Sequence, residues 1–305
     1  MNAQEDTVVS SRVNTIASEA YAGWLRDGAT VEEMRTGFDD MCPAPGPEVE
    51  VAEGVVGGIP GAWVSVPESD ETIILHFHAG GYLIGSPTSH RDLAARMARA
   101  ARARVFLAHY RLAPESPFPA AFDDGVSAYN GMLADGVDPS SLVISGDSAG
   151  GGLALAVLVA ARDAGRPAPA AGVLMSPWAD LTLSGDSMSA REPMDPLVSR
   201  AVLTGMQEGY LQGADPTDHR ASPLLADLAG LPPLLVQAGS SEVLEDDAVR
   251  ITDAVLNSGG EAVLQIGYEM VHVFQMFADK IPEAANAIER IGSFVRARTG
   301  AAAVA

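Results

Sequence analysis

Two patterns alternate along most of this chain. Short, almost wholly apolar runs at Thr72 to His78, Val105 to Tyr110, Leu142 to Ser145, Gly172 to Ser176, Pro233 to Ala238 and Ala262 to Tyr268 lack a polar face. Such runs suit strands covered on both sides in a parallel sheet. Between them, apolar residues recur every three or four positions at Ser89 to Arg102, Ala120 to Ala134, Ala149 to Ala164, Glu245 to Ser258 and Pro282 to Arg298, which predicts helices with a buried stripe. Strand alternating with helix predicts an α/β domain with a mostly parallel sheet. Two further β-type runs, Val49 to Val56 and Ala62 to Val66, precede the alternation.

Two regions depart from this rhythm. Between Thr7 and Met41 the residues Val8, Val13, Ile16, Ala20, Trp24, Leu25, Val31, Met34 and Phe38 fall at helical spacing with a break at Asp27-Gly28, predicting two short amphipathic helices before the proline-rich linker "CPAPGPE". From Leu181 to Leu225 no strand pattern occurs, and an insertion of that length in an α/β domain reads as a functional lid. Its Met188, Met194 and Met206 suit either core filling or an adaptable apolar pocket. Trp24, Met34 and Phe38 pose the same choice.

Composition acts mainly by exclusion. With 305 residues, 47% of them apolar, the chain has material for one large domain. A formal charge of −21, with Lys280 as the single lysine, sets it against nucleic acid and anionic lipid. Cys42 is the only cysteine, so no intrachain disulfide forms and no Cys/His zinc cluster is assembled; no metal is expected. The first residues carry no basic-then-apolar leader, and no apolar window approaches the ~18 residues needed to span a bilayer. The expected compartment is the cytoplasm, with no membrane partner.

Chemistry enters at "GDSAG", Gly146 to Gly150, which fits G-x-S-x-G directly after a strand and directly before a helix. That context makes Ser148 a candidate nucleophile on a strained turn, its hydroxyl exposed above the sheet and the helix N-terminus adding positive potential. Gly146 and Gly150 remove the side chains that would collide where strand and helix cross. Upstream, "HAGGY" ends an apolar strand and supplies main-chain N–H groups that approach closely enough to stabilise an oxyanion. The expected donors are Gly80, Gly81 and Ala149.

With these motifs, and with "YRLAPESPFPAAFDD", "SPWADL" and "EMVHVF", the chain resembles the hormone-sensitive-lipase-like branch of the α/β-hydrolases over nearly its whole length. The resemblance implies an α/β-hydrolase fold: a central, mostly parallel sheet of about eight strands flanked by helices, with a helical cap. It divides the chain into a catalytic core at 46–180 and 226–305, an N-terminal part of the cap at 1–45, and a cap insertion at 181–225. It also implies a homodimer, no cofactor, and a structural role for His78, which anchors the glycine loop. Ala79 replaces a glycine of the family's H-G-G-G at a position that is not an oxyanion donor there.

In this fold the order is serine, acid, histidine. His76, His78, His90 and His109 precede Ser148, and His219 lies in the insertion, which leaves His272 as the base. The family pattern G-x-x-D-x-L-x-D aligns with Gly239 and Leu244 to put Glu242 at the acid position, with Asp246 and Asp247 as alternatives or as a charge pair at a helix start. Asp147 reads as a tie between neighbouring loops, and Asp123 and Asp124 as helix-end or structural carboxylates. The expected activity is a serine carboxylesterase that uses Ser148, Glu242 and His272 on small-molecule esters of short to medium chain length. A lactonase or amidase on the same residues is the rival enzyme, and a non-catalytic small-molecule receptor the rival of another class.

Overall fold

The computed structural model describes residues 3–26 and 28–300, with side chains from Arg12 onward. Val8's side chain and Asp27, both part of the sequence pattern above, lie outside the described residues. Helices α1 (Ala3–Tyr21) and α2 (Val31–Met41) open the chain. α1 is longer than its spacing suggests. α2 starts at a capping box in which the Thr30 hydroxyl accepts the Glu33 N–H and the Glu33 carboxylate accepts the Thr30 N–H, satisfying two donors that a bare helix end leaves open.

Strands β1 (Glu50–Val56) and β2 (Ile59–Ser65) form a hairpin whose Val56 and Ile59 pair across Gly57-Gly58. Both glycines have positive φ, 59° and 82°, the backbone a two-residue hairpin turn requires. β2 therefore starts at Ile59, earlier than the apolar run predicts, because Pro60 and Gly61 hide its first turn from pattern reading. The alternating part follows: β3 (Ile73–Phe77), α3 (Pro87–Ala101), β4 (Arg104–Ala108), α4 (Ala120–Ala134), β5 (Leu142–Asp147), α5 (Ala149–Asp163) and β6 (Ala171–Met175). The insertion contributes α6 (Ser187–Ala190) and α7 (Arg200–Leu211), and the chain closes with β7 (Leu234–Gly239), α8 (Glu245–Asn257), β8 (Ala262–Gly267) and α9 (Pro282–Thr299).

The eight strands make one sheet in the order β1-β2-β4-β3-β5-β6-β7-β8. β2 is antiparallel to β1 and β4, and the remaining pairs are parallel. Successive residues of the central strands feed opposite layers, which is why those runs are mostly apolar. Leu75, Phe106, Ile144 and Leu174 join α4, α5 and α8 on one face, while Ile74, Val105, Val143 and Val173 join α3 and α9 on the other. From β3 the chain steps outward to β4 and then returns past β3 to β5. The C-terminal ends of β3 and β5 thus flank the point where strand order reverses, the crevice where open α/β sheets bind ligands. Among the described residues, no helix is long and apolar enough to cross a membrane.

Candidate active site

Ser148 stands between the last residue of β5 and the first of α5, at φ 52° and ψ −121°. For a residue with a side chain this is a strained backbone, and main-chain bonds on both sides hold it. The Ser148 N–H donates to the Met175 carbonyl at 2.9 Å, and the Ser148 carbonyl accepts from the Trp178 N–H at 2.8 Å. The turn is tight enough that a Cβ on Gly146 would lie 2.0 Å from the Gly150 carbonyl oxygen, and one on Gly150 would lie 2.0 Å from that of Phe77. The sequence writes glycine at both places because no side chain fits.

His272 follows β8 on a loop and places Nε2 2.9 Å from the Ser148 hydroxyl oxygen. Glu242 follows β7, fully buried, with Oε2 3.4 Å from His272 Nδ1. The two loops are stitched together, since the Ser240 N–H donates to Gly267 and the Ser241 N–H to Met270. A proton on Nδ1 facing the carboxylate leaves the Nε2 lone pair for the serine hydroxyl, the arrangement a general base requires. Burial pushes the imidazole down, but the Glu242 charge outweighs it and His272 is held above its ordinary pKa. Burial likewise lifts the Glu242 carboxyl, opposed by His272 and Ser176.

The loop after β3 faces this pair. Gly80 and Gly81 have φ of 121° and 60°, and among the described residues their N–H groups have no protein acceptor. Both line the cavity that reaches Ser148, and Ala149, the next residue after Ser148, is the first of α5. A cavity of about 60 Å³ opens onto Ser148 and His272, walled by Trp24 and Phe38 from the N-terminal segment and by Leu203 and Met206 from α7. Met206 sits against Gly81, where an added Cβ would lie 2.1 Å from its sulfur. Met188 is buried and Met194 is exposed, so the three methionines divide between pocket, core and surface. A larger cleft of about 310 Å³ lies beyond the histidine loop, around Glu269 and Arg290, and does not reach Ser148.

Other residues singled out in the sequence have specific partners too. Asp147 joins a strand to a helix instead of tying loops: its two oxygens lie 3.1 Å from His76 Nε2 on β3 and 3.2 Å from His90 Nε2 on α3, all three residues buried. Chain order removes these histidines as bases but gives no hint of their shared partner. Asp246 and Asp247 do stand in the first turn of α8, and each also has a specific partner. Asp246 accepts the Ser187 N–H, and buried Asp247 accepts the N–H groups of Ala179 and Asp180, so both fasten the start of the insertion. Neither faces His272. Asp124 pairs with Arg111 at 2.6 Å. Of the histidine in the glycine loop, Nδ1 donates to the Ala79 carbonyl at 2.8 Å and the ring stacks on Tyr110. Burial holds His78 neutral, well below its ordinary pKa.

Two residues carry no signal in the sequence. Ser176, inside the quoted "SPWADL", donates its hydroxyl to Glu242 Oε2 at 2.7 Å. Asp195, in the insertion, accepts the N–H groups of Leu197, Val198 and Val243, linking the insertion to the residue after Glu242. Burial raises its carboxyl above the ordinary value.

A serine corner and a buried His–Glu pair at the switch point of a parallel sheet define a hydrolase of the α/β class. Comparison with known proteins agrees. Residues 74–276 match the family described as having the alpha/beta hydrolase fold. An acetyl-hydrolase of Streptomyces hygroscopicus is 44% identical over 280 residues, 91% of this chain and 93% of that one. An esterase of Acinetobacter venetianus is 34% identical over 86% of this chain and 87% of its own length. The crystal structure of an esterase from the bacterial hormone-sensitive lipase family superposes with a TM-score of 0.92 at 41% identity, covering 98% of this chain and all of that one. The chain belongs to the hormone-sensitive-lipase-like branch of this family and is a carboxylic ester hydrolase.

Proposed function

We propose that the protein is a serine carboxylesterase acting on esters of short to medium acyl chains through an acyl-enzyme. The observation that carries this reading is the 2.9 Å contact between the Ser148 hydroxyl and His272 Nε2, opposite a glycine loop with unused N–H groups. Ser148 attacks the ester carbonyl as His272 takes its proton; the tetrahedral oxyanion is held by the N–H groups of Gly80, Gly81 and Ala149. His272 then gives the proton to the departing alcohol, and water repeats the sequence to release the acid. Glu242 keeps the imidazole in its reactive tautomer and stabilises the imidazolium.

Residues 1–45 and 181–225 act as a cap over the core at 46–180 and 226–305. In support, Trp24 and Phe38 from the first segment and Leu203 and Met206 from the second wall the same cavity as Ser148. A space of about 60 Å³ suits small acyl groups. The proposed homodimer draws support from the edge strand β8, where Val263 and Ile266 are exposed, and from exposed Tyr268 just past its end.

The test is a profile of kcat/KM over p-nitrophenyl esters from acetate to dodecanoate, with a lactone and an anilide alongside. The expected optimum lies between acetate and hexanoate. A higher value on dodecanoate than on butyrate contradicts the capped pocket, and preference for the lactone or anilide moves the protein to the rival activity.

A further inference from the structure

The three side chains of the proposed triad come from three separate strand ends, those of β5, β7 and β8, and one short segment, 175–178, bonds to all of these connections. β6 lies between β5 and β7, and the segment leaving it, Met175 to Trp178, bonds in both directions. Toward β5, the Met175 carbonyl accepts the Ser148 N–H, and the Trp178 N–H donates to the Ser148 carbonyl. Toward β7, the Ser176 N–H donates to the Gln237 carbonyl at 2.6 Å. The Ser176 side chain completes the set. Its hydroxyl donates to Glu242 Oε2 at 2.7 Å, and the same oxygen accepts the N–H of Val273, the residue after His272, at 3.0 Å.

The alternatives for holding this arrangement are few. Glu242 Oε1 and His272 Nδ1 have no hydrogen-bond partner among the described residues, and Nδ1 stands 3.4 Å from Oε2. The direct acid–histidine contact is therefore longer than a hydrogen bond, whereas both bonds to Ser176 are of full strength. The backbone around it is strained at both ends: Ser176 has φ 45°, and Val273, a β-branched residue, also has φ 45°. Such conformations persist only where their surroundings over-determine them, and at Val273 the N–H bond to Ser176 is part of that restraint.

We propose that Ser176 is a positioning residue of the catalytic site, its single hydroxyl aiming the Glu242 carboxylate while pinning the loop that carries His272. The proposal rests on the reading of Ser148, His272 and Glu242 as the reacting set. It gives Ser176 no contact with substrate. By occupying one lone pair of Oε2, the hydroxyl also makes the carboxylate less basic, so the acid–histidine pair takes up its proton less readily.

Four variants separate this role from a structural one. Ser176→Ala and Ser176→Gly both delete the hydroxyl, but glycine is at ease at positive φ and relieves the backbone. Ser176→Thr keeps the hydroxyl and adds β-branched strain. The expected result is that kcat on p-nitrophenyl butyrate follows the hydroxyl: Ala and Gly each fall about 10- to 100-fold with KM within about threefold, and Thr stays close to the parent although its melting temperature is the lowest. The acid limb of kcat/KM moves to higher pH in Ala and Gly, since the pair loses a donor that favoured its deprotonated form. Asp195 and Asp147, the other charged groups acting on the pair, are unchanged in every variant.

If kcat follows melting temperature instead, or if Ala and Gly keep the parent's kcat and acid limb, the proposal is overturned. Should the Thr variant fail to fold, the pH profiles of Ala and Gly decide alone. Ser148→Ala is the fourth variant: if it retains activity, the reading of the whole site fails, whereas an inactive Ser148→Ala beside a normal Ser176→Ala removes only the role given to Ser176.

Discussion

The corner that carries Ser148 and the loops that carry His272 and Glu242 are held by different means. Ser148 is fixed by main chain alone: its N–H and carbonyl bond to the segment after β6, and the strand and helix on either side approach so closely that Gly146 and Gly150 have no room for a methyl group. The loops of His272 and Glu242 are joined by main-chain bonds as well, Ser240 to Gly267 and Ser241 to Met270, but they are also fixed by side chains, through the hydroxyls of Ser176 and Ser240, the latter accepting the Glu269 N–H. A backbone-held element is bound up with folding itself. A side-chain-held element adds little to folding and much to function, because what it controls is the direction of a lone pair.

The comparison breaks most visibly at Gly150. A Cβ there meets the carbonyl oxygens of Phe77 at 2.0 Å and His78 at 2.5 Å, both main chain, so the Gly150→Ala variant is expected to lose more than about 4 kcal/mol and to yield no folded protein by circular dichroism. A purified Gly150→Ala protein melting near the parent temperature contradicts the backbone-held corner. The opposite behaviour is expected at the acid. Glu242→Gln keeps shape and volume and leaves melting within a few degrees, while kcat falls about a hundredfold to ten-thousandfold. Asp246→Asn, whose carboxylate faces Ser187 and not His272, keeps kcat within about tenfold. The reverse ranking of the two variants would reassign the acid to Asp246.

A gentler probe of the same pair is pH. The Glu242 charge raises the His272 pKa, and in the proposed mechanism only unprotonated His272 accepts the serine proton, so activity is expected to fall as pH drops through that raised value. The midpoint of the acid limb of kcat/KM is expected above the ordinary imidazole value of about 6.5, and in Glu242→Gln it moves down. An acid limb at or below that value in the parent enzyme would show that the carboxylate does not act on the imidazole.

The same division explains what the sequence discloses. The corner was legible because its determinants are contiguous: an apolar run, G-D-S-A-G and an alanine-rich helix occupy adjacent positions, and steric exclusion at two glycines leaves a mark in the letters. The strands β3 to β7 were legible because burial on both faces writes nearly unbroken apolar runs. His272 was reached by order along the chain and Glu242 by the spacing of a family pattern, not by any local rule. Ser176 was quoted and given no task, since a serine at a strand end looks alike whether it bonds water or a carboxylate 66 positions away. The partnership of Asp147 with His76 and His90 is hidden for the same reason, its members meeting only when β3, β5 and α3 pack together. The methionines of the insertion were undecidable from spacing, and the structure gives each a different fate.

The claim on which the rest depends is that Ser148 carries the acyl group between the two half-reactions. Rapid acid quench of the enzyme during turnover of p-nitrophenyl butyrate, followed by proteolysis and mass analysis, reads this directly. The account predicts at most one butyryl group per chain, on the peptide holding Ser148, and none after Ser148→Ala. A butyryl group on another residue, or undiminished turnover by the Ser148→Ala enzyme, would contradict it.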